Sequence, residues 1–287
     1  MSMSNAPPSG GAPAASSLTR LVVFSVIVLG SGWIGLLVDD ALGDAHSLQE
    51  QGSLVWIMTP ILTGAVLALS DPSLRRSYAV SWLPGRLRAY GVAISVFPLS
   101  FVVAIAVGWA AGVLSPAGLG AFGGAVVANV PGTVLKNVAE EGAWRGYLTP
   151  ALMRRRLPDP AVWLVVGVVW GVWHLPYYLW FLDEWLLRSV YDVPPIIFAL
   201  IGVGSTICWA PLFTELRILS GSIWPGLIAH SIANLSNTPL TLGGLPIKPG
   251  WELLVSPMIG IIPNTIVLAA GLGLWARRTG RLRRRPR

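Results

Sequence analysis

Long runs of apolar residues without any charge dominate this sequence and restrict what it can fold into. Of its 287 residues 54% are hydrophobic and only 11% are charged. A helix needs about 20 consecutive apolar residues to cross a bilayer, and uncharged runs of that length recur along the chain. A composition of this kind is typical of multispanning membrane proteins and excludes a soluble globular fold. The sequence therefore predicts an all-α membrane helix bundle.

The uncharged runs predict eight transmembrane helices. The third and fourth are obtained by dividing the interval between Arg88 and Lys136, which is too long for one helix and is interrupted by Pro and Gly in residues 115–120. The predicted spans are residues 21–38, 51–70, 90–112, 120–139, 161–182, 193–213, 222–240 and 253–275.

Composition divides the chain into a short leader, a bundle and a tail. Residues 1–19 are rich in Ser, Ala, Gly and Pro, which predicts a disordered leader. Residues 20–276 form the predicted bundle. The arginine-rich residues 277–287 predict a basic tail that contacts lipid headgroups rather than nucleic acid. The single cysteine, Cys208, excludes a disulfide within the chain.

The charged connections between the spans indicate how the bundle is oriented. Lys and Arg are retained on the cytoplasmic side of a membrane. Every basic connection follows an even-numbered span, whereas the connections after the first and fifth spans are acidic. Both termini are therefore expected in the cytoplasm, and the bias fits a bacterial plasma membrane. The basic residues are Arg75, Arg76, Arg86, Arg88, Arg154, Arg155, Arg156, Arg217 and the tail arginines, and the acidic ones are Asp39, Asp40, Asp44, Glu50, Asp183, Glu184 and Asp192.

Two carboxylates and a guanidinium interrupt the apolar sequence at Glu140-Glu141-Gly-Ala-Trp-Arg145. Ionisable groups at membrane depth are costly and usually mark function. On a helix Arg145 lies one turn after Glu141, so we expect these two to pair. Glu140 would then have no cation of its own and would be free to take a proton from water. The helix is expected to continue to Arg156, because Pro158 follows.

Two further spans carry polar residues. His174 ends the segment Trp170-Gly-Val-Trp-His174, and His230 stands one helical turn before Asn234. An imidazole and a carboxamide one turn apart can donate to the same oxygen atom, as an oxyanion hole requires. Because polar groups without partners are costly in lipid, we expect these three side chains and Glu140 to share one polar cavity.

The chain contains 14 tryptophans, a residue enriched where a membrane meets water. Several lie near ends of the predicted spans, including Trp82 and Trp275, and most of the 14 are expected at this boundary. Trp170 and Trp173 differ, because they precede His174 by four residues and by one residue, and Trp170 therefore lies over the same helical face as that histidine.

At these residues the sequence resembles a known family, the CPBP intramembrane proteases, which include the type II CAAX prenyl proteases and the bacterial Abi and bacteriocin-immunity proteins. The family has a Glu-Glu-x-x-x-Arg motif, an aromatic residue four before a histidine, and a histidine four before Asn or Asp. All three occur here in the same order, and the similarity covers about residues 115–240. Trp170 stands where the family usually has phenylalanine. The matching positions are Glu140-Glu141-x-x-x-Arg145, Trp170-x-x-x-His174 and His230-x-x-x-Asn234.

The resemblance implies hydrolysis of a peptide bond inside or at the edge of the bilayer, in a water-filled cavity reached from the cytoplasmic side. Glu140 and His174 would activate a water molecule. His230 and Asn234 would hold the oxyanion of the tetrahedral intermediate. The supporting residues would be Glu141, Arg145 and Trp170.

This mechanism assigns no cofactor and no metal. A zinc-dependent mechanism is the alternative, in which His174, His230 and a motif glutamate bind the ion, since two imidazoles and a carboxylate form a known catalytic ligand set.

Transport and partner binding are the two alternatives to proteolysis. Transport is disfavoured, because the motif segments are not repeated and no paired broken helices occur in corresponding halves. A non-catalytic immunity or partner-binding protein of the same fold is the second alternative. The expected partners are a peptide or protein substrate, either lipidated or membrane-anchored, and the lipid bilayer, but no nucleic acid.

Overall fold

The computed structural model describes residues 18–115, 123–237 and 245–283, and these residues form helices with no strand among them. The prediction of an all-α fold is confirmed. Residues 1–17 of the predicted leader and 284–287 of the predicted tail lie outside the described residues. Leu18 already belongs to the first helix, and residues 277–283 belong to the last.

Two short π-helices accompany the α-helices. The first, Gly142–Leu148, joins α5 to α6, and the second, Tyr177–Phe181, follows α7. The α-helices are α1 (Leu18–Leu42), α2 (Gln51–Leu69), α3 (Pro72–Ser81), α4 (Arg88–Ala110), α5 (Gly123–Glu141), α6 (Thr149–Arg154), α7 (Asp159–Trp173), α8 (Glu184–Val190), α9 (Pro195–Ser220), α10 (Trp224–Ser236), α11 (Glu252–Val255) and α12 (Ile261–Arg283).

Five helices of the described chain are long and apolar enough to cross a membrane: α1, α2, α4, α7 with its π-helix, and α9. They correspond to five of the eight predicted spans. The other three predicted spans correspond to α5, α10 and α12, which do not reach the same length and hydropathy. The helix α10 has only 13 residues, and α5 carries four polar side chains in its last two turns. These two helices contribute the polar residues of the site.

The boundaries of the predicted spans were confirmed at the third span and wrong at the eighth. After α4 the chain turns at Gly112, whose φ of +67° is readily adopted only by glycine. The eighth span begins at Ile261 rather than at residue 253. Residues 256–260 form a turn that includes Pro257, and Gly260 donates its N–H to the carbonyl oxygen of Ser256.

The helix that carries the two glutamates continues past them, as predicted, although it does not keep an α pitch. It passes through the first π-helix and ends at Arg154 rather than at Arg156, which has a left-handed φ of 56°. Two glycines in this stretch allow neighbours to approach closely. A Cβ on Gly142 would lie 2.9 Å from the Ile61 side chain, and one on Gly146 would lie 3.1 Å from the Tyr78 ring.

Small residues bring the spanning helices into backbone contact. A Cβ on Gly35 would collide with the carbonyl oxygen of Gly52, so α1 and α2 pack directly against each other. Likewise a Cβ on Gly167 would lie 2.7 Å from the Ile207 Cα, where α7 crosses α9. Thr206 donates to the Gly167 carbonyl oxygen at the same crossing, at 3.0 Å. Close approach of this kind is how helices associate in lipid.

Candidate functional site

Three helices bring the motif residues to one place. The end of α5 supplies Glu140, the end of α7 leads into His174, and α10 supplies His230 and Asn234. His174, His230 and Asn234 line one cavity of about 250 Å³, and Glu140 is buried next to it against Lys136 and Trp170, which also line it. The remaining lining residues are Asn129, Thr133, Tyr177, Tyr178, Gly202, Ser205, Thr206, Trp209, Asn237, Met258 and Ile259.

Glu140 is held on both of its carboxylate oxygens. Its Oε1 forms an ion pair with Lys136 Nζ at 2.5 Å. Its Oε2 accepts from the indole N–H of Trp170 at 2.7 Å and of Trp144 at 3.4 Å. The expectation that Glu140 has no cation of its own was therefore wrong. Lys136 precedes it by one helical turn, the same spacing that links Glu141 to Arg145, so the pair could have been predicted from the sequence.

His174 presents one ring nitrogen to Glu140. Its Nδ1 lies 2.9 Å from the carbonyl oxygen of Trp170, which can only accept, so Nδ1 carries the proton. In the neutral ring Nε2 then has a free lone pair. This Nε2 lies 3.9 Å from Glu140 Oε2. Two atoms at this distance can share one water molecule, because each hydrogen bond spans about 2.7–3.0 Å.

Glu141 connects the two other motifs behind the cavity. Its Oε1 accepts from Arg145 Nη1 and from His230 Nδ1, each at 3.1 Å. The predicted pairing of Arg145 with Glu141 is therefore present. His230 must donate through Nδ1, since the carboxylate only accepts, and its Nε2 is the atom left for a ligand.

The Arg145 guanidinium is completely buried and lies between two aromatic rings. Its Cζ is 4.3 Å from the ring centroids of both Trp170 and Phe213. Arg145 Nε and Nη2 have no hydrogen-bond partner, so the ring faces take the place of acceptors. The partner of Arg145, Glu141, is also closely packed. A Cβ on Gly226 would lie 2.7 Å from Glu141 Oε2, so only glycine fits at position 226.

Asn234 is positioned by a residue that the motif analysis missed. Its Nδ2 donates to Asn137 Oδ1 at 3.0 Å, and Asn137 in turn donates to Ser231 Oγ at 3.1 Å. Asn137 is completely buried. The sequence contained a sign of this role. Lys136 lies one helical turn before Glu140, and Asn137 lies one turn before Glu141, so all four polar side chains lie on neighbouring faces of α5.

Several of the 14 tryptophans are buried around the site instead of lying at the membrane boundary, where most of them were expected. Trp56, Trp144 and Trp173 are fully buried, as is Trp170. Trp56 stacks on Trp173 with ring centroids 4.3 Å apart and donates its N–H to the Trp173 carbonyl oxygen at 3.0 Å. This contact fixes the end of α7 immediately before His174.

The arrangement does not gather a zinc ligand set. Among residues 18–115, 123–237 and 245–283, no three His, Cys, Asp or Glu side chains are placed to hold one metal ion. Both oxygens of Glu140 and one oxygen of Glu141 are engaged by nitrogen donors. Of the atoms that could bind zinc in the proposed ligand set, three have no hydrogen-bond partner: Nε2 of His174, Nε2 of His230 and the buried Oε2 of Glu141.

Residues 122–236 match the family model of the type II CAAX prenyl endopeptidases, Rce1-like. This segment is similar to the Rce1-like family. It includes α5 through α10, and therefore all three motifs, so the resemblance identified from the motifs is confirmed. No curated protein matches the chain in a sequence comparison. The chain is a multi-pass membrane protein, as its similarity to this family and the five helices of the described residues able to cross a bilayer indicate.

One residue of the Rce1-like segment departs from the family pattern, and the structure gives the departure a role. Trp170 stands where phenylalanine is usual, and its ring packs on Arg145 as a phenylalanine ring can. Its indole N–H also donates to Glu140, which phenylalanine cannot do. The substitution therefore adds a hydrogen bond to the carboxylate beside the cavity.

Proposed function

We propose that the protein is an intramembrane endopeptidase that hydrolyses a peptide bond of a membrane-associated peptide or protein. The observation that carries this proposal is that His174, His230 and Asn234 line one cavity and that Glu140 is buried next to it. Groups as costly to bury as these are kept in a membrane protein for chemistry. Their occurrence in a segment of the CAAX prenyl endopeptidase family supports hydrolysis as that chemistry.

The water that attacks the substrate binds between Glu140 and His174. Glu140 Oε2 orients it, and His174 Nε2, 3.9 Å away, has the free lone pair that accepts its proton. The carboxylate then offsets the charge of the imidazolium, which gives the proton to the leaving amine as the C–N bond of the tetrahedral intermediate breaks. The two side chains act as one base, and Lys136, Trp144 and Trp170 position the carboxylate.

The oxyanion of the tetrahedral intermediate is bound by His230 and Asn234. Because His230 Nδ1 already donates to Glu141, the ring can donate through Nε2 only as an imidazolium. Asn234 retains a second N–H after donating to Asn137. Fixed donors directed at developing charge contribute strongly to catalysis.

Removal of the Asn234 donor tests the oxyanion site. We expect Asn234→Ala to reduce kcat by about 10²- to 10³-fold, the usual effect of deleting one such donor, with little change in KM. The measurement is cleavage of quenched-fluorescent membrane peptides, with and without a prenylated CAAX end, by the purified protein in proteoliposomes. Ser236→Ala is the matched control, since Ser236 lies on the same helix but only donates to the carbonyl oxygen of Ile232. Equal rates for the two variants would contradict the assignment.

We further propose that the reaction needs no metal. This is supported by the engagement of both Glu140 oxygens by nitrogen donors, which leaves Glu140 no free oxygen for zinc beside the two imidazoles. The zinc chelator 1,10-phenanthroline is therefore expected to leave the cleavage rate unchanged. Its non-chelating isomer is the control and should give the same rate. Activity lost to phenanthroline and restored by added zinc would replace this mechanism with the zinc alternative.

A further inference from the structure

The two faces of the bundle differ sharply in charge. The first face is identified by contacts that bring the ends of several helices to the same side of the bundle. Arg20 at the start of α1 donates to the carbonyl oxygen of Ser70 after α2, at 3.3 Å. Arg86 donates its backbone N–H to the carbonyl oxygen of Ser220 at the end of α9, at 3.2 Å. Arg278 joins the end of α12 to the start of α7 through Asp159.

This first face is the basic face. Its three acids lie beside arginines: Arg278 bonds to both Asp159 and Glu215, and Asp71 lies near Arg20. Among residues 18–280 the arginines on it are Arg20, Arg75, Arg76, Arg86, Arg88, Arg154, Arg155, Arg156, Arg217, Arg277 and Arg278.

The opposite face is acidic. The Trp33 ring of α1 contacts the Trp180 ring, which follows α7, with centroids 4.8 Å apart. The end of α1 therefore lies on the same side as the end of α7. The cations described on this face are Arg188, which is paired with two acids, and Lys248. Its acids are Asp39, Asp40, Asp44, Glu50, Asp183, Glu184, Asp192 and Glu252.

The cavity extends from the motif residues toward the acidic face. Along α5 the exposure of the side chains increases from Glu140, buried next to the cavity, through half-buried Thr133 to exposed Asn129, which both line it. Along α10 it increases from buried His230 to half-buried Asn237. Both directions lead away from the basic face, because α10 begins beside the connection that carries Arg86 and α5 continues toward Arg154.

The other walls of the cavity agree with this direction. Tyr178 follows the end of α7, Gly202 lies in the first third of α9, and Met258 precedes α12. All three therefore lie in the half of the bundle bounded by the acidic connections. Lining residues from the basic connections are absent from the described part of the cavity.

Because Lys and Arg are retained in the cytoplasm, we infer that the cavity opens on the extracytoplasmic side of the membrane. The cytoplasmic access implied by the family resemblance does not fit this charge distribution. Given the proposed proteolytic function, the substrate is then a membrane-anchored or exported polypeptide whose scissile bond is presented from outside. Prenylated C-termini of cytosolic proteins would face the wrong side.

Cysteine labelling tests the side of access without requiring any cleavage. The only native cysteine is removed by Cys208→Ala, and single cysteines are introduced at three positions of the full-length protein. Ser189→Cys reports the acidic face, Leu87→Cys reports the basic face, and Asn129→Cys reports the cavity; all three native residues are exposed. Right-side-out and inside-out vesicles are treated with a charged maleimide that does not cross membranes.

We expect Asn129→Cys and Ser189→Cys to react in right-side-out vesicles and Leu87→Cys to react only in inside-out vesicles. Labelling of Asn129→Cys together with Leu87→Cys would overturn the inference, as would protection of Asn129→Cys from both sides. Thr133→Cys, one turn deeper, replaces Asn129→Cys if that variant does not accumulate. The same labelling in a Glu140→Gln background shows that the side of access stands independently of the proposed catalysis.

Discussion

Glu140→Gln is expected to abolish peptide cleavage while the protein still accumulates in the membrane. The amide keeps the shape of the side chain but cannot orient the attacking water as a carboxylate does or offset the charge on His174. Loss of a positioned acid–base group lowers rates by about 10²- to 10⁴-fold. Folding is less affected, because the Lys136 side chain is 25% exposed and can be solvated from the cavity. The proteoliposome assay measures the rate, and size-exclusion chromatography in detergent measures the folded protein.

A double variant separates the charge of Glu140 from its pairing with Lys136. Lys136→Met with Glu140→Gln removes the ion pair as a unit and restores charge balance. If chemistry requires the carboxylate, this double variant is as inactive as Glu140→Gln. Cleavage at the wild-type rate by Glu140→Gln would exclude the proposed mechanism and leave a partner-binding protein of the same fold as the better explanation.

Arg145→Ala is expected to cause the largest loss of stability of any single substitution at the site. Arg145 is fully buried, and its removal leaves Glu141 charged in an apolar environment with only His230 to compensate it. Breaking a buried ion pair in this way costs about 3–5 kcal/mol. The variant should show much less folded protein and a lower midpoint of thermal unfolding in detergent. Glu141→Gln should have an effect in the same direction.

Arg188 provides a matched control for that experiment. It also pairs with carboxylates one helical turn away, Glu184 and Asp192, but all three side chains are exposed. Pairs of this kind contribute little in water, so Arg188→Ala should leave the amount of folded protein unchanged. A thermal midpoint for Arg145→Ala equal to that of Arg188→Ala would show that the buried pair does not stabilise the bundle.

The sequence predicted the fold class and the proximity of the motif residues, because both follow from patterns along the chain. Uncharged runs indicate helices in lipid, and one-turn spacing correctly paired Arg145 with Glu141. The π-helix at Gly142–Leu148 was not predicted, since it depends on how neighbouring side chains fit against Gly142 and Gly146.

Contacts between residues far apart in the sequence could not be predicted either, because they also depend on how the helices pack. The hydrogen bond from Trp170 to Glu140 joins residues 30 positions apart, and its formation depends on how α7 packs against α5. Lys136 is different, because its spacing from Glu140 is local and was available in the sequence. The side on which the cavity opens required both kinds of information, the charges of the connections and the three-dimensional course of the cavity.

Trp56 shows that the Rce1-like segment is not an independent unit. This residue lies on α2, outside residues 122–236, yet its ring stacks on Trp173 and its N–H binds the last carbonyl before His174. A fragment limited to the family segment would leave the end of α7 unsupported on that side. Relatives can therefore share all three motifs and still differ in activity through helices that carry none of them, and comparisons restricted to the motifs would miss the cause.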